Sequence, residues 1–246
     1  NLLRPRAIRA WVGMVWAATP GTACWDGLVR AHVREGGVDY AALRGGARPA
    51  LEGCLGEMAA VGSMEGWSEA ERMAWWINAY NAWTVWLIVE NPGVASIRDV
   101  GWPLSSPWKR EIVPVVALRG RALSLDDVEH GILRKEFKEP RVHMALVCAS
   151  RSCPALRAEA YRGERLEAQL ADAARTFLAD RTKNRVEEGT LWLSKIFDWY
   201  GADFEAVGGV RGFVKAWGPA SMGEVAGTAP VRWLAYDWGL NAVEGR

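Results

Sequence analysis

Excess charge of one sign is what this chain most clearly lacks: 30 Lys+Arg stand against 29 Asp+Glu, a formal net charge of +1 over 246 residues. With no long basic face to compensate, nothing draws it to nucleic acid. Cysteine is sparse as well, and 4 in a chain of this length do not make a disulfide scaffold. No glycine-rich phosphate loop follows a strand pattern, and neither G-x-S-x-G nor H-E-x-x-H occurs, so nucleotide-dependent, serine-hydrolase and zincin chemistry have no motif to rest on. Repeats and low-complexity tracts are missing too. What is abundant is apolar surface, at 50% of residues, which excludes disorder and gives enough chain to bury a core. The 15 tryptophans stand out, since indoles bury large areas while seeking a partner for their N–H, and so favour core edges and grooves.

Arg4, Arg6 and Arg9 precede the apolar run Ala10 to Thr19, then small residues to Cys24, with no acid before Asp26. That is the layout of a secretory signal peptide, so residues 1–24 are expected to be a targeting segment and 25–246 one globular domain exported to the periplasm or outside the cell. Ala23-Cys24 further suggests a lipid anchor at Cys24. If residues 1–24 are instead a first amphipathic helix, the chain is cytoplasmic. No transmembrane span is expected, because the run of about ten residues is half the length that crossing needs.

Beyond Trp25 the pattern is helical to about Gly66. Ser68 and Glu71 form a capping box that opens a long apolar helix, and Asn91-Pro92-Gly93 stops it. Asn78, Asn81 and Thr84 draw one polar stripe on that cylinder, the mark of a buried helix. Ile112–Leu118 with Arg121–Leu123, and the two halves of Val186–Leu193, read as hairpins. Ser124 and Asp127 cap a helix through Phe137, Val142–Cys148 reads as a buried strand, Arg162–Asp180 as a helix, and Val231–Trp238 as a last strand. The fold class is therefore α+β: a helical N-terminal half whose long buried helix packs on a mainly antiparallel sheet from the second half.

Four polar groups draw attention as chemistry. After the expected strand, Ser152 is placed to cap a helical turn with Cys153 at its start, where the helix dipole favours a thiolate; His143 or His130 would then be its base. Inert packing and a Cys148–Cys153 disulfide are the competing readings. On a helical wheel starting at Leu125, Glu129 falls at about 40°, inside the apolar stripe, so its carboxyl needs a partner or a task. Asn78 and Asn81 either tie the long helix to a loop or line a cleft and hold a substrate. A metal site is not expected, because His130, His143, Cys148 and Cys153 match no common zinc spacing.

Several ordered motifs resemble the domain of unknown function 547 family. They include Gly37-Val-Asp-Tyr40, Trp76-Ile-Asn-Ala-Tyr-Asn81, Trp108-Lys109, Leu123 through Arg134, Arg141 through Cys148, and Ser152-Cys-Pro154. Leu193 through Phe197, Trp199-Tyr200, Asp203-Phe204, Tyr236-Asp-Trp238 and Leu240-Asn241 continue the series, so the likeness runs from about residue 25 to 242. Val147 departs from it, standing where the family often has Asn. The resemblance implies Asn78, Asn81, Glu129, His130, His143, Cys148 and Cys153 as polar signature positions, without assigning their roles.

Together these readings point to a cysteine-dependent hydrolase or acyl transferase acting on a small molecule or peptide, without a cofactor. In it Cys153 is the nucleophile, His143 or His130 the base and Glu129 the orienting group, while Asn78, Asn81 and Cys148 contact substrate. A non-catalytic binding or scaffold domain with a Trp-rich surface, and a thiol–disulfide redox protein, are the alternatives.

Overall fold

In a computed structural model the chain is described at residues 19–101 and 103–243. The basic and apolar part of the targeting-type segment, residues 1–18, lies outside the described residues. Its last residues, from Thr22, belong to α1 (Thr22–His32), which buries Thr22, Trp25, Leu28 and Val29. Cys24 is disulfide-bonded to Cys54, with the two Cα atoms 5.6 Å apart. No described helix is long and apolar enough to cross a membrane.

After α1 the chain makes a small hairpin, β1 (Val33–Arg34) with β2 (Gly37–Val38), then α2 (Tyr40–Arg44) and α3 (Arg48–Ala59). The long helix α4 (Glu69–Val89) starts where its capping box requires: Ser68 Oγ accepts from Glu71 N at 3.2 Å and Ser68 N donates to Glu71 Oε2 at 2.7 Å. Every residue from Met73 to Val85 is buried. The start of α4 is also sealed by Gly163, where an added Cβ would lie 2.9 Å from the Glu71 backbone nitrogen. Gly163→Ala is therefore expected to lower stability by about 2 kcal/mol through overpacking, measured by urea unfolding. An unchanged midpoint would mean that this contact opens freely.

Next come β3 (Glu111–Val113), α5 (Val116–Arg119) and β4 (Leu123–Ser124), the two strands antiparallel, so the first expected hairpin has a helical turn at its tip. The helix after Ser124 forms with its Ser124–Asp127 cap, then winds as a π-helix from Asp127 to Phe137 and ends on Lys138 at φ 53°. Its wider turn alters the 100° wheel, yet Val128, Glu129, Ile132 and Leu133 remain its buried set.

Val142–Cys148 is not a strand. Pro140–Met144 forms a 3-10 turn and residues 146–148 then run irregular without a ladder partner, so the argument that His143 and Cys148 face opposite sides of a strand does not apply. Helix α6 (Leu166–Ala179) follows, and then β5 (Arg185–Glu187) and β6 (Thr190–Leu193), turned through Glu188 at φ 49° and Gly189 at φ 70°. Two positive φ values in a two-residue loop suit the twist of a hairpin. Helices α7 (Lys195–Trp199), α8 (Gly209–Trp217) and α9 (Ala220–Val225) lead to β7 (Val231–Trp233), shorter than expected and parallel to β6.

The class is α+β, with the pairing inside the small sheets mostly antiparallel. One cluster of buried side chains surrounds α4 and reaches from Trp25 to Leu170; a second gathers α6, the β5–β6–β7 sheet, and α7 to α9 around Phe197, Phe204 and Phe213. The long helix thus packs chiefly among helices and beside β3, while the three-stranded sheet is covered by α6 to α9. Residues 237–243 strap the parts together. Leu240 N donates to Ala95 O, Arg151 N to Gly239 O, Asn241 N to Ala149 O, and Val38 N to Asn241 O, all within 3.1 Å.

Candidate active site

Where the two clusters of buried side chains meet, a cleft of about 300 Å³ is lined by Glu129, His130, His143, Cys148 and Cys153, with Tyr80, Asp126, Tyr200, Tyr236 and the indoles of Trp108, Trp199 and Trp238. Five of the seven sequence-derived site residues therefore converge there. Asn78 and Asn81 do not. Asn78 Nδ2 donates to Tyr161 O at 2.8 Å while its Oδ1 accepts from Tyr161 N at 2.9 Å. Asn81 holds Ala145 O at 3.0 Å and Val147 N at 2.9 Å in the same two-handed way. These amides tie α4 to the loops, and Asn81 fixes the irregular stretch that delivers Cys148.

Cys148 is half-buried, and its Sγ lies 3.2 Å from both Ser150 Oγ and Tyr236 OH, which are themselves 3.1 Å apart. Immediately afterwards Ala149 adopts φ 56°, a left-handed conformation that costs a non-glycine residue about 1 kcal/mol, and the strap through Asn241 holds it there. Cys153 sits deeper, at 4% exposure, with its sulfur taking the backbone N–H of Cys148 at 2.8 Å. No helix starts at Ser152: Cys153 N donates to Ser150 O in a turn, so the dipole expected to activate Cys153 is missing. The two thiols diverge in acidity. The hydrogen bond from Cys153, helped by Ser150 and Tyr236, holds Cys148 below the ordinary thiol range, whereas burial and then Cys148 push Cys153 well above it.

The histidines also separate. His143 Nε2 meets Asp203 Oδ2 at 2.7 Å, and because a carboxylate only accepts, that nitrogen carries the proton and Nδ1 is the basic atom. The ring is stacked on Tyr200 with centroids 4.2 Å apart. Asp203 is gripped on its other side by Arg134, at 2.5 and 2.8 Å, and His143 followed by Arg134 holds its carboxyl well below the usual range. His130 Nδ1 lies 2.8 Å from Arg134 Nη1, which can only donate, so the lone pair a base would use is already occupied. Glu129 is 7% exposed and accepts from the Tyr80 hydroxyl at 3.0 Å, with no hydrogen bond to His143. The group that orients His143 is thus Asp203, which residue-by-residue reading passed over because nothing in Asp203-Phe204 alone signals a partner 60 positions earlier. Tyr236 was missed for the same reason.

Among the described residues no cluster of three His, Cys, Asp or Glu side chains is arranged to hold a metal ion. A family model described as "Protein of unknown function, DUF547" matches residues 64–178, which include Glu129, His130, His143, Cys148 and Cys153, while Tyr200, Asp203 and Tyr236 come from beyond the match. No curated protein and no solved structure matches the chain.

Proposed function

We propose that this chain, which carries a DUF547 segment at residues 64–178, is a cysteine-dependent hydrolase or acyl transferase with Cys148 as nucleophile, His143 as base and Asp203 as positioning residue. The observation that carries the reading is the shared cleft: a half-open, acidified Cys148 thiol and an imidazole held by a carboxylate in the tautomer a base needs. The Cys148 proton passes to His143 Nδ1, the thiolate adds to a substrate carbonyl carbon, and the imidazolium returns the proton to the leaving group as the carbon–leaving-group bond breaks. Water or a second nucleophile then gives its proton to His143 and displaces Cys148 from the acyl thioester. Cys153 has a supporting part here, its sulfur accepting the Cys148 backbone N–H.

The test is iodoacetamide alkylation across pH with peptide mapping. Cys148 is expected to react with a midpoint below the free-thiol value of about 8.5, Cys153 only after unfolding, and Cys148→Ser to remove the native-state signal. Cys153 reacting first, or Cys148 reacting with an ordinary midpoint, overturns the assignment.

The Cys24–Cys54 disulfide supports export to an oxidising compartment as part of this proposal. Cell fractionation checks it, and recovery in the cytosol with both thiols reduced counts against it.

A further inference from the structure

The cleft carries charge and aromatic surface that the proposed sulfur chemistry leaves idle. Asp126 and Glu129 line it, while no lysine or arginine does so among the described residues. Each of its two histidines has one nitrogen engaged, His143 Nε2 by Asp203 and His130 Nδ1 by Arg134. Asp126 has one ion-pair partner among the described residues, the His130 Nε2 at 3.7 Å. Burial raises its carboxyl above the ordinary range, with His130 and then Lys109 as the cations that partly offset this. Indoles line the same cleft: Trp199 and Trp238 stack with centroids 5.7 Å apart, and Trp199 is 46% exposed, a large ring left open to solvent. Arg98 lies 5.2 Å from the Trp238 ring centroid, so a cation already rests against this aromatic group.

Aromatic faces together with under-neutralised carboxylates attract a cation, by ring quadrupole and by charge. An anionic ligand would meet two acids, with His130 the one lining cation to offset them. A neutral ring would use the indoles and leave Asp126 with its weak partner. We propose that the cleft takes an acyl substrate bearing an ammonium group, which is held between Asp126 and the Trp199–Trp238 pair while its carbonyl reaches Cys148. This rests on the reading of Cys148 as a reactive thiol.

Charged methanethiosulfonates test it without knowledge of the substrate. In each case the Cys148 sulfur bonds to the reagent's thiol sulfur and methanesulfinate leaves. The rates for a trimethylammonium-ethyl and a sulfonato-ethyl reagent are compared with those of 2-mercaptoethanol, with neutral iodoacetamide as the control for access and folding. At Cys148 the preference for the cation is expected to exceed that of the free thiol by about tenfold or more, and to fall several-fold in both Asp126→Asn and Trp199→Ala. A preference equal to the free thiol's, with iodoacetamide still reacting quickly, overturns the ammonium proposal and leaves the thiol assignment standing. If Cys148 ignores iodoacetamide as well, both fall.

Discussion

Asn81→Ala is expected to lower the free energy of unfolding by about 3 kcal/mol, among the largest effects of any single side chain outside the tryptophan core. Asn81 satisfies two backbone groups at once, Ala145 O and Val147 N, on residues that are each 2% exposed. Truncation strands both in an apolar surrounding, at roughly 1–3 kcal/mol for each unsatisfied group. Water entering the vacated space is the competing outcome, and it would hold the loss nearer 1 kcal/mol. Urea unfolding separates these cases. Asn78→Ala is the matched control, since it breaks the same kind of pair, to Tyr161, on the same helix. Both variants are expected to lose similar stability, but only the Asn81 variant should also change Cys148 alkylation. If both leave Cys148 untouched, the stretch after Met144 is held by something other than Asn81.

That pair also shows how far the sequence carries. The long helix is legible because its signals are local: Ser68 and Glu71 cap it, Asn91-Pro92-Gly93 ends it, and the Asn78–Asn81 stripe marks it as buried. Glu129 is legible for a related reason, a carboxyl set among Val128, Ile132 and Leu133. The apolar run Val142–Cys148 is not, since the pattern of a buried strand is shared by other buried apolar stretches, and here a 3-10 turn and the Asn81 amide stand in place of a ladder. The ranking of the two cysteines follows that error. A helix start at Ser152 favours Cys153, whereas the turn that forms instead leaves Cys153 buried and Cys148 at the cleft. Asp203 and Tyr236 reach the site across 60 and 88 positions from His143 and Cys148, distances over which spacing holds no information. Both lie beyond residues 64–178, where the family model matches.

The largest expected effect belongs to Asp203→Asn. Both His143 and Arg134 donate to this side chain, and an amide has one acceptor oxygen where the carboxylate has two. Arg134, always charged and able only to donate, takes that oxygen and turns the amide N–H toward His143. The imidazole must then present Nε2 as acceptor and carry its proton on Nδ1, the wrong tautomer for drawing a proton from Cys148. Turnover of an activated ester is expected to fall by about 10³–10⁴-fold, the scale seen when a triad loses its tautomer-fixing carboxylate. The pH midpoint of Cys148 alkylation should rise along with it. A purely structural Asp203 would lower stability and leave that midpoint in place. The stability effect has a defined window. The Asp203 carboxyl is depressed in the folded state, first by His143 and then by Arg134, so its contribution is complete above the unfolded value of about 3.9 and is lost as pH falls toward the folded one. Wild type and Asp203→Asn should therefore differ in unfolding free energy at pH 6 and converge as acid is added below about pH 4. A difference that stays constant across that range would mean that the carboxylate carries no charge-dependent bond to His143 or Arg134.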